Sequence, residues 1–477
     1  MRLIRKYIGL AVGPALFFTV LLGEPFDGLS QAANATLACS IWIASWWVVE
    51  IIPIAATSLL PIVLFPITGA ASISQTTAAY GDKMLFLFIG GFIIAIAMEK
   101  WNLHKRIALN IIQAVGTSPS SILLGFMIAT GALSMWISNT ATTLMMVTIG
   151  SAIISQTAQQ QTGDFSAFYK ALLLGIAYSA SIGGVATLVG TPTNPIFVAI
   201  ASEMYGQEVA FIDWFLFGFP FAVVVTLFTW YYLAFIVFRL NKQTARLDST
   251  IISEELKKLS HISYEEKVVA WVFGLTAFAW ITRTFIWSSL IPGINDTSIA
   301  MVAAVLLFII PSKKENRIGI ITWEEAVKLP WGVIILFGGG LAIAAAFKSS
   351  GLAEWTGQQL TLLSDLHVFF LIVMIAVIVN FLTEVTSNVA TASIMLPILA
   401  TLSEVLGIHP FLLMIPATMA ASCAFMLPVA TAPNAIVFAS GQLTVRDMAK
   451  AGFALNLISS ILISLVSYYV LDLVFGF

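Results

Sequence analysis

The chain of 477 residues is 59% hydrophobic and only 10% charged, with a mean hydropathy of +0.97 and a formal net charge of −2. A soluble domain of this length carries about a quarter charged residues to solvate its surface. The composition therefore excludes an ordinary soluble enzyme and implies an all-α polytopic membrane protein, in which every spanning backbone group is satisfied within its helix. The only two cysteines, Cys39 and Cys423, lie in apolar runs and read as small core residues, with no disulfide framework or metal spacing.

Residues 1–33 hold a first apolar run at 7–23. Further spans follow it and no small-residue cleavage site does, so it reads as a span and not a signal peptide. The unit 34–238 opens with runs at 34–51, 54–70 and 84–99, each near the length that crosses about 30 Å of hydrocarbon. The stretch 120–155 differs. As one helix it would be about 54 Å long, nearly twice the hydrocarbon thickness. Its middle holds a polar knot, SMWISNTAT (Ser134 to Thr142). The expectation is a re-entrant hairpin whose tip is buried in protein or lines a water-filled cavity. Next comes an overlong run at 168–203, interrupted by Gly, Thr, Pro and Asn, which reads as a broken helix; 211–238 closes the unit.

Residues 239–266 mix Lys and Arg with Glu and read as a solvated cytoplasmic linker. The unit 267–477 then carries runs at 267–286, 297–311, 331–347 and 452–475, a second hairpin at 368–405 with the knot TEVTSNVAT (Thr383 to Thr391), and a second broken helix at 411–440. The expected architecture is about eleven transmembrane helices plus two re-entrant hairpins. With the N-terminus cytoplasmic and the C-terminus extracytoplasmic, every basic residue except Lys83, Arg283 and Lys348 falls on the inside. That is the excess the positive-inside rule predicts for a protein of the cell membrane.

The two units repeat each other. LFIGGFIIAIAMEKWNL (87–103) and LFGGGLAIAAAFKSSGL (336–352) share eight of 17 positions at an offset of 249. The same offset lays Ser134 on Thr383, Ser138 on Ser387, Asn139 on Asn388 and Thr142 on Thr391, and TPTN (191–194) matches TAPN (431–434) at an offset of 240. Corresponding elements lie five spans apart, an odd number, so the units face opposite ways. Inverted repeats with matched helix breaks are the signature of secondary transporters, whose sites sit at those breaks.

An anion at such a site needs hydrogen-bond donors, from helix N-termini or Asn, Ser and Thr side chains, and compensation of its charge. No Arg or Lys occurs between Arg106 and Lys170, or between Lys348 and Arg446, and both tips fall in these gaps. Sodium ions are the natural remaining source, and a hard cation takes oxygen ligands. The hydroxyls of Ser134, Ser138 and Thr383, the amide oxygens of Asn139 and Asn388, and freed carbonyls near Gly190 and Ala430 are candidates. Single Ser, Thr or Asn residues in membrane helices often only bond to a neighbouring helix; the paired, matched knots are what favour a site here. Glu50 and Glu384 are ionisable residues in apolar runs and are functional candidates on that ground, beside the reading of each as a buried structural hydrogen bond. His104, His261, His367 and His409 form no metal pattern. No P-loop, Ser–His pair or HExxH motif is present, so neither an enzyme nor a nucleic-acid partner is expected.

At SNT (138–140), SNV (387–389), GTPTN (190–194), MLPVATAPNAIVFASG (426–441) and WWVVEIIPIAATSLLP (46–61), the sequence resembles the divalent anion:sodium symporter family, the sodium-coupled di- and tricarboxylate transporters, over essentially the whole chain. The resemblance implies a homodimer in lipid whose protomers each have a scaffold and a transport domain moving elevator-fashion, with two or more coupling Na⁺. One sodium would lie near Ser134, Ser138, Asn139 and Gly190, and another near Thr383, Thr386, Asn388 and Ala430. Substrate carboxylates would meet Asn139, Thr140, Thr191, Asn388 and Thr431. Val389 stands where many dicarboxylate carriers of the family have Thr, which bears on the choice between dicarboxylate and citrate. A sodium-independent dicarboxylate or citrate exchanger, a sulfate transporter and an anion channel of the same fold are the alternatives.

Overall fold

A computed structural model describes residues 2–116, 118–160, 165–240, 250–315, 317–360 and 366–477. Residues 241–249 of the expected linker lie outside these. Among the described residues the regular structure is all helical, apart from one isolated bridge between Ser312 and Arg317.

The first helices are α1 (Arg2–Gly23), α2 (Gln31–Val49), α3 (Ile54–Thr57), α4 (Leu60–Thr68) and α5 (Ile73–Ala78). Ser30 caps α2 by accepting from the Ala33 amide, and Ser72 and Gln75 form a reciprocal capping box on α5. The run at 54–70 is not one helix. It breaks between Thr57 and Leu60, and Pro61 enters the first turn of α4, where its missing N–H costs nothing.

Then follow α6 (Lys83–Lys100), capped by Asp82, α7 (Leu103–Val115), α8 (Pro119–Ser134), capped by Ser118, α9 (Asn139–Gln160), α10 (Ser166–Val185), α11 (Thr193–Tyr205) and α12 (Phe211–Tyr231), which continues as a π-helix over Tyr232–Val237. Within the expected linker lies α13 (Thr250–Lys258), and from its end onward come α14 (Tyr264–Thr282), α15 (Ser288–Leu290), α16 (Asp296–Ile309), α17 (Trp323–Ala326), α18 (Trp331–Ser349), α19 (Leu352–Gln359), α20 (Val368–Thr383), α21 (Asn388–Val405), α22 (Phe411–Ser422), α23 (Ala432–Ala439) and α24 (Val445–Phe475). Among the described residues eight helices are long and apolar enough to cross a membrane. The expected spans at 7–23, 54–70, 297–311 and 411–440 correspond to shorter apolar helices, with 411–440 interrupted between Ser422 and Ala432.

Packing follows the sequence repeat. Helix α8 packs on α10 and α12, as α20 packs on α22 and α24. The short segments after the two breaks cross over: α11 lies against α21, and α23 against α9. The second leg of each hairpin is thus covered by the broken helix of the other unit, which brings both tips and both breaks to one place. The breaks themselves touch, since the Thr193 and Ser422 hydroxyls are 2.7 Å apart in the buried core.

Candidate functional site

Both stretches read as hairpins have their helices interrupted at the polar knot. Helix α8 ends at Ser134 and α9 starts at Asn139; α20 ends at Thr383 and α21 starts at Asn388. Each interruption frees a helix end for ligation, because the last carbonyls of one leg and the first amides of the next have no partner within their helices.

The two tips build the same oxygen cluster. Ser134 Oγ lies 2.5 Å from Asn139 Oδ1 and 2.7 Å from the Ala180 carbonyl oxygen. Thr383 Oγ1 lies 2.7 Å from Asn388 Oδ1 and 3.0 Å from the Ala421 carbonyl oxygen. A hydroxyl has one proton, so each trio of oxygens holds one donor for two acceptors. Ser134 and Thr383 are both fully buried. A cluster of oxygens short of protons around a buried hydroxyl is the donor set a hard cation selects.

The breaks are braced by a matched pair of asparagines. Asn194 Nδ2 donates to the Gly184 and Thr187 carbonyls at 3.2 and 2.7 Å, and Asn434 Nδ2 donates to the Ala424 and Leu427 carbonyls at 3.2 and 3.0 Å. At the first break Gly190 N donates to Thr187 Oγ1, which donates to the Met135 carbonyl. A Cβ on Gly190 would sit 2.5 Å from the Gly184 carbonyl oxygen, and one on Gly184 would sit 2.8 Å from Asn139 Oδ1. Only glycine lets the first break approach its tip this closely. At the second break Thr431 Oγ1 accepts from Asn434 N and caps α23, with Pro433 in its first turn.

The tips and breaks open on one cavity of about 800 Å³. Asn139, Thr140, Thr191, Asn388, Val389 and Thr431 all line it, as do Ser138, Gly190, Thr386 and Ala430. Ser134 and Thr383 do not; they lie one layer behind. The Ser138 hydroxyl accepts from the Ala141 amide at 3.2 Å, and the Thr386 hydroxyl is 2.5 Å from that of Thr391 and 2.9 Å from the Leu382 carbonyl.

The cavity also has walls that the sequence did not single out. Phe88, Phe92 and Glu99 come from α6, and Lys328 comes from the loop before α18. Lys328 is exposed and enters no ion pair among the described residues. Glu50 lines the same cavity, exposed, in the left-handed position that ends α2. The ionisable residues of the wall are thus two carboxylates and one ammonium, a formal charge of −1. A multivalent anion finds no net compensation there from fixed charge. The backbone oxygens of Ala180 and Ala421 were missed as well. No side-chain pattern marks a carbonyl, and the two lie 241 residues apart, at neither of the repeat offsets.

Glu384 is 3% exposed and takes no place in the cavity wall. Its Oε1 accepts from the amides of Phe425 and Met426, each at 2.8 Å, and from Asn456 Nδ2 at 2.7 Å; its Oε2 accepts from the Leu427 amide at 2.9 Å.

Among known proteins, the sequence model of the sodium:sulfate symporter transmembrane region matches residues 5–474. A protein of Staphylococcus saprophyticus named "Sodium-dependent dicarboxylate transporter SdcS" is 48% identical over 481 residues, covering 99% of this chain and 92% of its own length. The Staphylococcus aureus protein of the same name is also 48% identical, over 480 residues and the same shares of each chain. Two solved structures share the fold at low identity. The Alcanivorax borkumensis YdaH transporter has a TM-score of 0.61 at 14% identity, covering 85% of this chain and 87% of its own. Neisseria gonorrhoeae MtrF has a TM-score of 0.61 at 13% identity, covering 92% and 95%.

Proposed function

The chain belongs to the sodium:sulfate symporter family, and from that premise we propose that it is a sodium-coupled symporter of dicarboxylates of the succinate, malate and fumarate class. The observation that carries this reading is the pair of matched oxygen clusters, Ser134–Asn139–Ala180 and Thr383–Asn388–Ala421, set behind one cavity. Sodium is the coupling ion because the wall offers an anion no net positive charge. The sodium-dependent relatives point the same way.

The first sodium is held by Ser134, Ser138, Asn139 and Gly190, and the second by Thr383, Thr386, Asn388 and Ala430. Two bound cations create the positive potential that draws the dianion. The dianion is then oriented by Asn139, Thr140, Thr191, Asn388 and Thr431, the first residues of the helices after each interruption. Helix N-termini bind anions because their first amides are free and their dipoles point the right way. Cation and anion each raise the affinity of the other through this shared site, and that reciprocity couples the two fluxes.

Units 34–238 and 267–477 act as inverted repeats, with 1–33 and 239–266 outside them. Their crossed packing, α11 on α21 and α23 on α9, supports a single body that carries both tips. This body moves against a scaffold in an elevator-type alternating-access cycle, in a homodimer with the N-terminus cytoplasmic and the C-terminus extracytoplasmic. Val389 gives the second tip an apolar wall where the first has Thr140, and makes citrate the competitor to test first.

Uptake of radiolabelled succinate, citrate and sulfate into proteoliposomes tests the reading. An inward sodium gradient should drive succinate accumulation, and its removal should stop it. Uptake that ignores sodium but rises with internal dicarboxylate would establish exchange in place of symport.

A further inference from the structure

We infer that Glu384 is a positioning and charge-setting residue that makes the second sodium site the tighter of the two. The inference rests on the sodium-coupled reading above and extends it to the order in which the sites fill.

A buried carboxylate carries a desolvation cost of several kcal/mol and is tolerated only with partners that recover it. Glu384 has four N–H partners, three of them the consecutive amides of 425–427. Both of its oxygens accept and neither donates, the pattern of an ionised carboxylate. Among the described residues it has no basic partner. The negative charge is therefore satisfied by dipoles and left without a cation.

Bracing alone does not call for that charge. Met135 occupies the matched position of the first tip, and there the break is held by the neutral Thr187 hydroxyl and by glycine contacts. The group that would use a fixed charge at the second tip is the cation site beside it. Glu384 follows Thr383 directly in the chain. It also fixes the segment between Ala421, whose carbonyl faces Thr383, and Ala430. Its charge adjoins Thr383 of the second site, and its hydrogen bonds hold that site's backbone in place. The first tip has no carboxylate beside its hydroxyl, since Met135 stands there. The second sodium then binds first and at lower concentration, and its binding orders the break on which Thr431 presents the substrate-facing end of α23.

Sodium titration of succinate uptake in proteoliposomes tests this with E384Q and E384D. E384Q should raise the sodium concentration for half-maximal uptake by about tenfold, equivalent to about 1.4 kcal/mol. The succinate KM at saturating sodium should stay within about twofold, because the carboxylate does not touch substrate. E384D keeps the charge and should lie within about threefold of the unaltered protein. A transporting E384Q protein with unaltered sodium dependence overturns the inference, and so do E384Q and E384D shifted equally. Should E384Q fail to fold, hydrogen exchange on the unaltered protein decides. Sodium alone should slow exchange of the 425–427 amides with a lower midpoint than the amides around Gly190, and equal or reversed midpoints refute it. Sodium-independent uptake by the unaltered protein would instead overturn the symport reading itself.

Discussion

The first tip reads Ser134-Met135-Trp136-Ile137-Ser138-Asn139, and the second Thr383-Glu384-Val385-Thr386-Ser387-Asn388. The hydroxyl and the asparagine recur with nearly the same distances to a carbonyl contributed by the following helix. What surrounds them does not recur. Trp136 stacks at 6.3 Å on Trp280 and meets Phe273 edge-on at 5.0 Å, which ties the first tip to α14, whereas the matched Val385 is 62% exposed and lines the cavity. Close glycine contacts hold the first break, and a buried carboxylate with Asn456 holds the second. The hydroxyl, amide oxygen and carbonyl of each tip keep their arrangement while their supports diverge, as expected when function constrains geometry and not the means of achieving it.

The largest expected effects come from the shared atoms. N139A or N388A removes an inward-facing oxygen and a cavity-lining amide together, and each should lower succinate uptake by at least about 100-fold. Near-normal uptake in both would make the tips structural. The supports should respond unequally. G190A forces a Cβ to 2.5 Å from the Gly184 carbonyl oxygen and should lower uptake about tenfold, with a stability loss of about 1–3 kcal/mol as the break shifts. Ala430 already carries a Cβ at the matched position, so A430G should cost only about 0.5–1 kcal/mol in thermal unfolding. Equal losses would contradict the distinction between the two breaks.

The contact joining the halves is next in size. T193V leaves the buried Ser422 hydroxyl without its partner and should destabilise the protein by about 1–3 kcal/mol. The double variant T193V/S422A, which removes both polar groups, should recover part of that loss; additive losses would deny the pairing. V389T should change the succinate-to-citrate uptake ratio by roughly tenfold or less, the scale of one added hydroxyl in an apolar wall. An unchanged ratio would remove position 389 from substrate selection.

Much of this was legible in the sequence because the repeat doubles every signal. The polar knots stood out against apolar runs too long to cross once, and the offset of 249 aligned the hydroxyl and the asparagine of the two clusters. Lys328 and Glu99 could not be placed in the cavity from the sequence, since each lies far along the chain from both tips and reaches them only through packing. The split of 54–70 into α3 and α4 was marked in the sequence by Thr57, Ser58 and Pro61, but the run reads as one span on its length. Glu384 was visible as an oddity, but the three amides it holds come from a break more than 40 residues away.

On the proposed reading, two matched oxygen clusters behind one cavity each take a sodium ion, at least two per dicarboxylate. The reversal of succinate flux in proteoliposomes, measured against opposed sodium and succinate gradients at a clamped potential, reads that ratio directly. A ratio of two or more is the expected result; one sodium per succinate, or flux that sodium does not reverse, would contradict the assignment of both clusters as cation sites.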